Sequence, residues 1–141
     1  MIEIGENPEI AIVLHPKGQV GGAQADYDLE EASGLTEALG VSIARAIIVP
    51  LRDIHASKYF GGGKIEEIQA DINAFSASMV VVNTSLSPIQ QRNLERAWNV
   101  KVIDRTGLIL EIFGLRAATK EGSLQVELAR LGYERSRLVR T

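Results

Sequence analysis

Residues 79–104 read MVVVNTSLSPIQQRNLERAWNVKVID, and this stretch decides the fold. It begins and ends with a short, continuous run of valine and isoleucine, and the segment between the two runs has the apolar spacing of a helix. Ser87 suits the N-cap of that helix, Pro88 suits its first position, and Gln90 completes a capping box. Strand, capped helix and strand predict a βαβ unit whose strands are parallel and buried on both faces.

The same pattern repeats upstream. Residues 10–14 and 43–49 are continuous apolar runs of strand length. Two stretches between the runs carry apolar residues at helical spacing, and their members are Leu29, Ala32, Leu35 and Leu39, then Ile65, Ile68, Ile72 and Phe75. The order β-α-β-α-β-α-β predicts an α/β fold, a small parallel sheet of about four strands flanked by helices.

The pattern changes after residue 104. From Thr106 onward the sequence is typical of helix for about thirty residues, and we expect a break near residues 119–122. Four leucines in the last part have heptad-like spacing and no evident partner; they are Leu124, Leu128, Leu131 and Leu138. We predict an α/β N-terminal domain at 1–104 and a helical extension at 105–141 whose apolar face favours a homodimer.

Composition excludes several classes of function. The 141 residues include no cysteine and only two histidines, which excludes disulfides and argues against a metal centre. The chain begins without the basic region of a signal peptide, and no apolar run is long enough for a membrane span, so we expect a cytoplasmic protein. Residues 1–44 carry eight acidic side chains and one lysine, whereas residues 115–141 carry six basic and three acidic ones. The basic part is either a solvated helix face or a contact surface for RNA.

The stretch KYFGGGKIEEI at residues 58–68 raises the question of a phosphate site. A P-loop requires G-x-x-x-x-G-K-[ST]. Here isoleucine follows the glycine–lysine pair, and Lys58 stands where the first glycine belongs. The glycines can still offer N–H groups to an anion at a helix start, but Glu66 and Glu67 in the first turn would repel it. We therefore favour a structural helix start over phosphate binding.

A second glycine-rich loop, HPKGQVGGAQAD at residues 15–26, also follows a predicted strand. Ligands of open α/β sheets bind beyond the carboxyl ends of the strands. The two loops together give the alternative prediction, a module that binds a nucleotide such as ATP or another small ligand.

No complete active site emerges from the remaining motifs, so we predict no catalytic residue and no metal ligand. Asp104 and Gly107 match the D-x-x-G of GTPase switch regions, but two fixed residues in four are common by chance. We interpret them as a strand-to-helix turn with Thr106 as N-cap. Arg92 and Asn93 are polar residues of an amphipathic helix, which indicates either a solvated face or a contact with a partner.

Four blocks of the sequence together resemble the N-terminal domain of HflX-type ribosome-associated GTPases: GGGKIEEI, LSPIQQRNLE, VIDRTGLILEIFGLRA and TKEGSLQVELARL. The resemblance implies an α/β domain followed by a helical hairpin, with residues 125–138 as its first arm, and then a GTPase domain that holds GTP and Mg²⁺. It also associates the GGGK stretch with ATP, and it implies no other cofactor in this chain. The charged segment 134–137 departs from the apolar pair and proline usual at the hairpin tip, and Asn83 and Thr84 replace residues that are acidic in many members.

The resemblance also implies a function. The chain would not be an enzyme by itself but would bind the large ribosomal subunit, in a parent GTPase that splits or rescues ribosomes. Its partners would be ribosomal RNA and its own GTPase domain, and the acidic first 44 residues would face away from the RNA. The candidate contacts to RNA or to a nucleotide are Lys58, Gly61, Gly62, Gly63, Lys64, Arg92, Asn93 and Arg105.

Overall fold

The computed structural model describes residues 9–18, 22–117 and 133. In this part of the chain strands and helices alternate. The elements are β1 (Ile10–Lys17), α1 (Gly22–Ala38), β2 (Ser42–Pro50), α2 (Gly62–Phe75), β3 (Met79–Val82), α3 (Pro88–Trp98), β4 (Lys101–Asp104) and α4 (Arg105–Ala117). The strands form one sheet in the order β2-β1-β3-β4, and every neighbouring pair is parallel. The predicted α/β fold with a four-stranded parallel sheet is confirmed.

Two layers of helix cover the sheet, because successive side chains of a strand point to opposite faces. On β1, Ile12 and Leu14 join a core that includes residues of α2 and α3. Ala11 and Val13 join a second core with α1 and α4. All four side chains are fully buried. This two-sided burial explains why the strands are continuous apolar runs rather than alternating ones.

The start of α3 has the predicted capping box. The Ser87 hydroxyl accepts a hydrogen bond from the Gln90 amide, and the Gln90 side chain accepts one from the Ser87 amide. At the other end of the helix, the buried indole of Trp98 donates from Nε1 to the carbonyl of Ile65 at 3.0 Å. The indole therefore fixes α3 against α2 by a hydrogen bond as well as by its apolar area.

Two elements differ from the sequence-based prediction. β1 runs to Lys17 rather than ending at residue 14, because Lys17 pairs with Pro50 and its carbonyl accepts a hydrogen bond from the Leu51 amide at 2.8 Å. His15 therefore lies in a strand and not in the glycine-rich loop. Phe75, predicted on the apolar stripe of α2, is 43% exposed, because α2 packs on the sheet one turn earlier, through Ile68 and Ile72.

Of the predicted C-terminal extension, residues 105–117 and residue 133 are described. Of the three residues whose spacing predicts an apolar face of α4, Leu108 and Ile112 are buried in the core, whereas Leu115 is 43% exposed. The expected helix break, the leucine seam and the charged segment 134–137 lie outside the described residues, so the homodimer and the division at residue 105 stay predictions. Among the residues described, no helix is long and apolar enough to cross a membrane.

Candidate functional site at the carboxyl end of the sheet

All eight predicted contact residues lie near the carboxyl end of the sheet, where the four parallel strands terminate. Lys58 and the three glycines lie between β2 and α2, and Lys64 belongs to the first turn of α2. Arg92 and Asn93 are in the second turn of α3, and Arg105 is the first residue of α4. Parallel strands place the segments that follow them at one end of the sheet, and open α/β sheets bind ligands there.

The segment after β2 forms a tight turn at residues 55–59, here called the lysine turn. His55 and Tyr59 exchange both backbone hydrogen bonds at 2.9 Å, so Lys58 lies in the exposed turn between them. Tyr59 takes a left-handed backbone conformation with φ of 66°, and its buried ring packs edge-on against Phe60 at 5.0 Å. The two aromatic rings therefore anchor the turn in the core.

Helix α3 holds the lysine turn from the other side. The Gln90 side chain donates to the carbonyl of His55, and the Asn93 side chain donates to the carbonyl of Ser57, both at 2.9 Å. Asn93, predicted as an RNA contact, thus uses its amide group to position the turn that carries Lys58. Arg92 lies beside it and is half-buried, and its Nε makes no hydrogen bond within the part of the chain that the structure describes.

The glycine stretch begins a helix, as the sequence analysis favours. Gly61 occupies the N-cap position of α2 with an extended backbone and no capping side-chain hydrogen bond. A Cβ at Gly62 or Gly63 would meet no other described atom within 4 Å, so crowding does not require glycine there. Lys64 donates to Glu67 at 2.9 Å, and this bond lowers the pKa of the Glu67 carboxyl. Binding of an anion at this helix start stays a prediction.

Arg105 belongs to a polar cluster that the sequence analysis did not identify, here called the switch-point cluster: His15, Asp28, Asn83 and Arg105. Arg105 donates from Nε to the side-chain oxygen of Asn83 at 3.1 Å and from Nη2 to its backbone carbonyl at 3.3 Å. The amide nitrogen of Asn83 lies 3.0 Å from Nδ1 of His15 and 3.2 Å from the carbonyl of Asp28. Residues from four elements thus meet around the buried amide of Asn83. His15 belongs to β1, Asp28 to α1 and Arg105 to α4, and Asn83 itself lies in the loop between β3 and α3.

The switch-point cluster lies where chain direction across the sheet reverses. From β1 the chain goes first to β2 on one side of β1 and then to β3 on the other side. His15 belongs to β1, and Asn83 directly follows β3, which pairs with β1. Ligands of doubly wound sheets bind at this point. The sequence held one signal for it, a polar Asn83 directly after four buried apolar residues. Asp28, one of the acidic residues of segment 1–44, lies at this same end of the sheet, 3.8 Å from His15.

Asp104 caps α4, and the prediction of Thr106 as N-cap is wrong because the helix already begins at Arg105. The buried Asp104 carboxylate accepts hydrogen bonds from the amide of Gly107 at 2.9 Å and from the amide of Leu86 at 3.0 Å. The first bond satisfies an amide in the first turn of α4, and the second fixes the loop after β3. The D-x-x-G match is therefore a capped strand-to-helix turn, as predicted in outline.

The burial of His15 makes a testable prediction about stability and pH. Burial lowers the pKa of His15 below 6.5, Asp28 opposes this shift, and Arg105 adds to it. The unfolded chain therefore takes up the proton more readily, so the free energy of unfolding should fall as pH drops below about 6.5 and level off below the folded-state pKa. Denaturant unfolding between pH 5 and 8 measures this slope. His15→Gln should flatten this slope, whereas an unchanged slope in His15→Gln would contradict the assignment.

Comparison with known proteins gives a family to this arrangement. The family described as GTP-binding GTPase N-terminal matches residues 26–114. The chain is 43% identical to GTPase HflX of Magnetococcus marinus over 142 aligned positions, covering 100% of this chain and 33% of the relative. It is 47% identical to GTPase HflX of Escherichia coli over 113 positions, covering 80% of this chain and 26% of the relative.

A solved structure agrees with the sequence relatives. A GTP-binding protein of Sulfolobus solfataricus, crystallised with GDP, superposes with a TM-score of 0.68 at 28% identity and covers 94% of this chain. The match occupies 39% of that protein, and the chain spans about a third or less of the HflX relatives. The chain belongs to the HflX family of GTPases and corresponds to their N-terminal domain.

Proposed function

We propose that this chain is the ribosome-docking domain of an HflX-type GTPase, and that its carboxyl end contacts RNA of the large ribosomal subunit. The observation that carries the proposal is the lysine turn, an exposed cation held in place by side chains of α3. A preorganised cation loses little conformational entropy when it meets a phosphate. Such a function places the chain in the cytoplasm, where it serves the separation or rescue of ribosomes.

The distribution of basic side chains supports this surface. Besides Lys58 and Arg92, several basic residues lie at or just beyond the carboxyl ends of the strands or at helix starts; they are Lys17, Arg52, Lys64 and Arg105. Lys101, by contrast, lies at the amino end of β4. Contacts between cations and phosphates supply most of the affinity of sequence-independent RNA binding. Six of the ten lysine and arginine residues that the structure describes lie at this end of the sheet, where Glu66 and Glu67 offset part of their charge.

In this proposal, another part of the parent GTPase carries out the GTP chemistry. The 141 residues contain no P-loop motif, since the one Gly-Lys pair is followed by isoleucine. The relatives are named GTPases and are about three times as long as this chain or more. GTP and Mg²⁺ would bind in the remaining two thirds, and the docking domain would pass on whether a ribosome is bound.

The docking proposal predicts a salt dependence that can be assigned to single residues. Binding of the purified chain to large ribosomal subunits should weaken steeply between about 50 and 200 mM salt, because phosphate contacts release counterions. Lys58→Gln and Arg92→Gln should each reduce the slope of log affinity against log salt by about one.

Lys101→Gln is the matched control, since it removes an exposed lysine from the opposite end of the sheet and should leave the slope unchanged. Binding that does not respond to salt, or an equal loss in Lys58→Gln and Lys101→Gln, would overturn the docking surface.

A second candidate function is supported by the position of the two glycine-rich loops. They leave from neighbouring strands, and the Leu51 amide that begins one donates to the Lys17 carbonyl that precedes the other, at 2.8 Å. Residues 19–21 of the first loop lie outside the described residues. Adjacent loops at the carboxyl end of a sheet are the usual place for a nucleotide or another small ligand.

Thermal unfolding with ATP and with GTP tests this second function. A ligand at a hundred times its dissociation constant should stabilise the chain by about 2.7 kcal/mol. Lys64→Gln should reduce that gain if the GGGK stretch holds phosphate, and Lys101→Gln should not. Melting curves that are unchanged at millimolar nucleotide would leave ribosome docking as the function of this end of the sheet.

A further inference from the structure

A tyrosine from far along the sequence reaches the carboxyl end of the sheet. The hydroxyl of Tyr133 donates to Oδ1 of Asp104 at 2.6 Å, the length of a hydrogen bond between a hydroxyl and an ionised carboxylate. The same carboxylate already accepts from the amides of Leu86 and Gly107. Asp104 is 1% exposed, and a charge so deeply buried is stable only when its oxygens are well hydrogen-bonded. The phenol is therefore a third donor to a group that needs several.

Gly107 leaves the space that the phenol occupies. A Cβ at this position would lie 2.7 Å from the Tyr133 hydroxyl oxygen and 2.8 Å from Cγ1 of Ile103. Side chains do not approach so closely, so any larger residue would push the tyrosine or the strand away. Glycine inside a helix is unfavourable because it loses more backbone freedom than alanine. Its presence in the first turn of α4 is explained by the fit of the ring.

Gln91 completes the pocket. Its amide nitrogen donates to the carbonyl of Val102 at 2.7 Å, which leaves its oxygen 3.4 Å from the Tyr133 hydroxyl. The hydroxyl is thus oriented by a close carboxylate and a more distant amide oxygen. The pocket combines a buried acceptor with a glycine floor, and a tyrosine ring with its hydroxyl matches both features.

The contact between Tyr133 and Asp104 runs against the direction of α4. α4 begins at Arg105, directly after Asp104, and runs away from the carboxyl end of the sheet for 13 residues, or about 20 Å. Tyr133, sixteen residues beyond the end of α4, is back at the start of the same helix. The chain leaves α4 at the far end of the helix, yet the contact places Tyr133 at the start of that helix.

We propose that Asp104, Gly107 and Gln91 form an intramolecular docking pocket for Tyr133, which ties this residue to the helix start that presents Arg105. The proposal concerns the chain alone and does not depend on ribosome docking.

Hydrogen exchange of the full chain, followed by mass spectrometry, tests the docking pocket. Loss of a hydrogen bond to a buried charge in Tyr133→Phe should speed exchange in the peptide that contains residue 133 by roughly tenfold or more. Exchange in the β3 peptide should not change. Tyr27→Phe is the matched control, because that ring is 62% exposed, and it should leave both peptides unaffected.

Gly107→Ala gives an independent arm that keeps the hydroxyl and fills the space. It should speed exchange in the same C-terminal peptide, and less so in a Tyr133→Ala background, where only the contact with Ile103 remains. Unchanged exchange of that peptide in both Tyr133→Phe and Gly107→Ala would overturn the pocket. Faster exchange spread equally over the whole chain in Tyr133→Phe would overturn it too, because the contact would then act on global stability and not on the segment.

Discussion

The buried carboxylate of Asp104 joins several segments at the carboxyl end of the sheet, where the proposed docking surface lies. It lies at the end of β4 and caps α4 through the amide of Gly107. It also accepts hydrogen bonds from the amide of Leu86, in the loop after β3, and from the hydroxyl of Tyr133. Each of these groups would be costly to bury without a partner, and the carboxylate would be costly to bury without them. The loop between β3 and α3 and the start of α4 are therefore set in place by one side chain. Arg105 is presented by the residue next to it.

A parallel sheet turns this local arrangement into a surface. The segments that follow β2, β3 and β4 lie at the same end of the sheet, and hydrogen bonds from α3 and α4 fix their relative positions. Gln90 and Asn93 reach from α3 to the lysine turn, and Arg105 reaches from α4 to Asn83. Lys58 and Arg105 are thus carried by short segments that other segments hold in place. Such rigidity favours a docking surface that recognises the shape of its partner.

The elements of the fold were predictable because their signals are local. The two-sided burial of the strands appears as continuous runs such as MVVV, and the capping box of α3 is written in Ser87 to Gln90. The site was less predictable because its contacts are far apart in the sequence. His15 and Asn83 are 68 residues apart, and Asp104 and Tyr133 are 29 apart. No periodicity reports such pairs. Asn93 is a similar case, since its spacing on the exposed face of α3 does not reveal that its amide group donates to Ser57 of the lysine turn.

The proposed docking surface requires that the carboxyl end of this sheet, and not its amino end, meets the large ribosomal subunit. Competitive labelling of lysines on the chain, alone and with saturating large subunits, compares both ends within one molecule. Lys58 and Lys101 are both exposed in the chain, at the carboxyl and amino ends of the sheet respectively. If the carboxyl end docks, large subunits should slow the labelling of Lys58 and leave the labelling rate of Lys101 unchanged. Protection of Lys101 with Lys58 still reactive would contradict it.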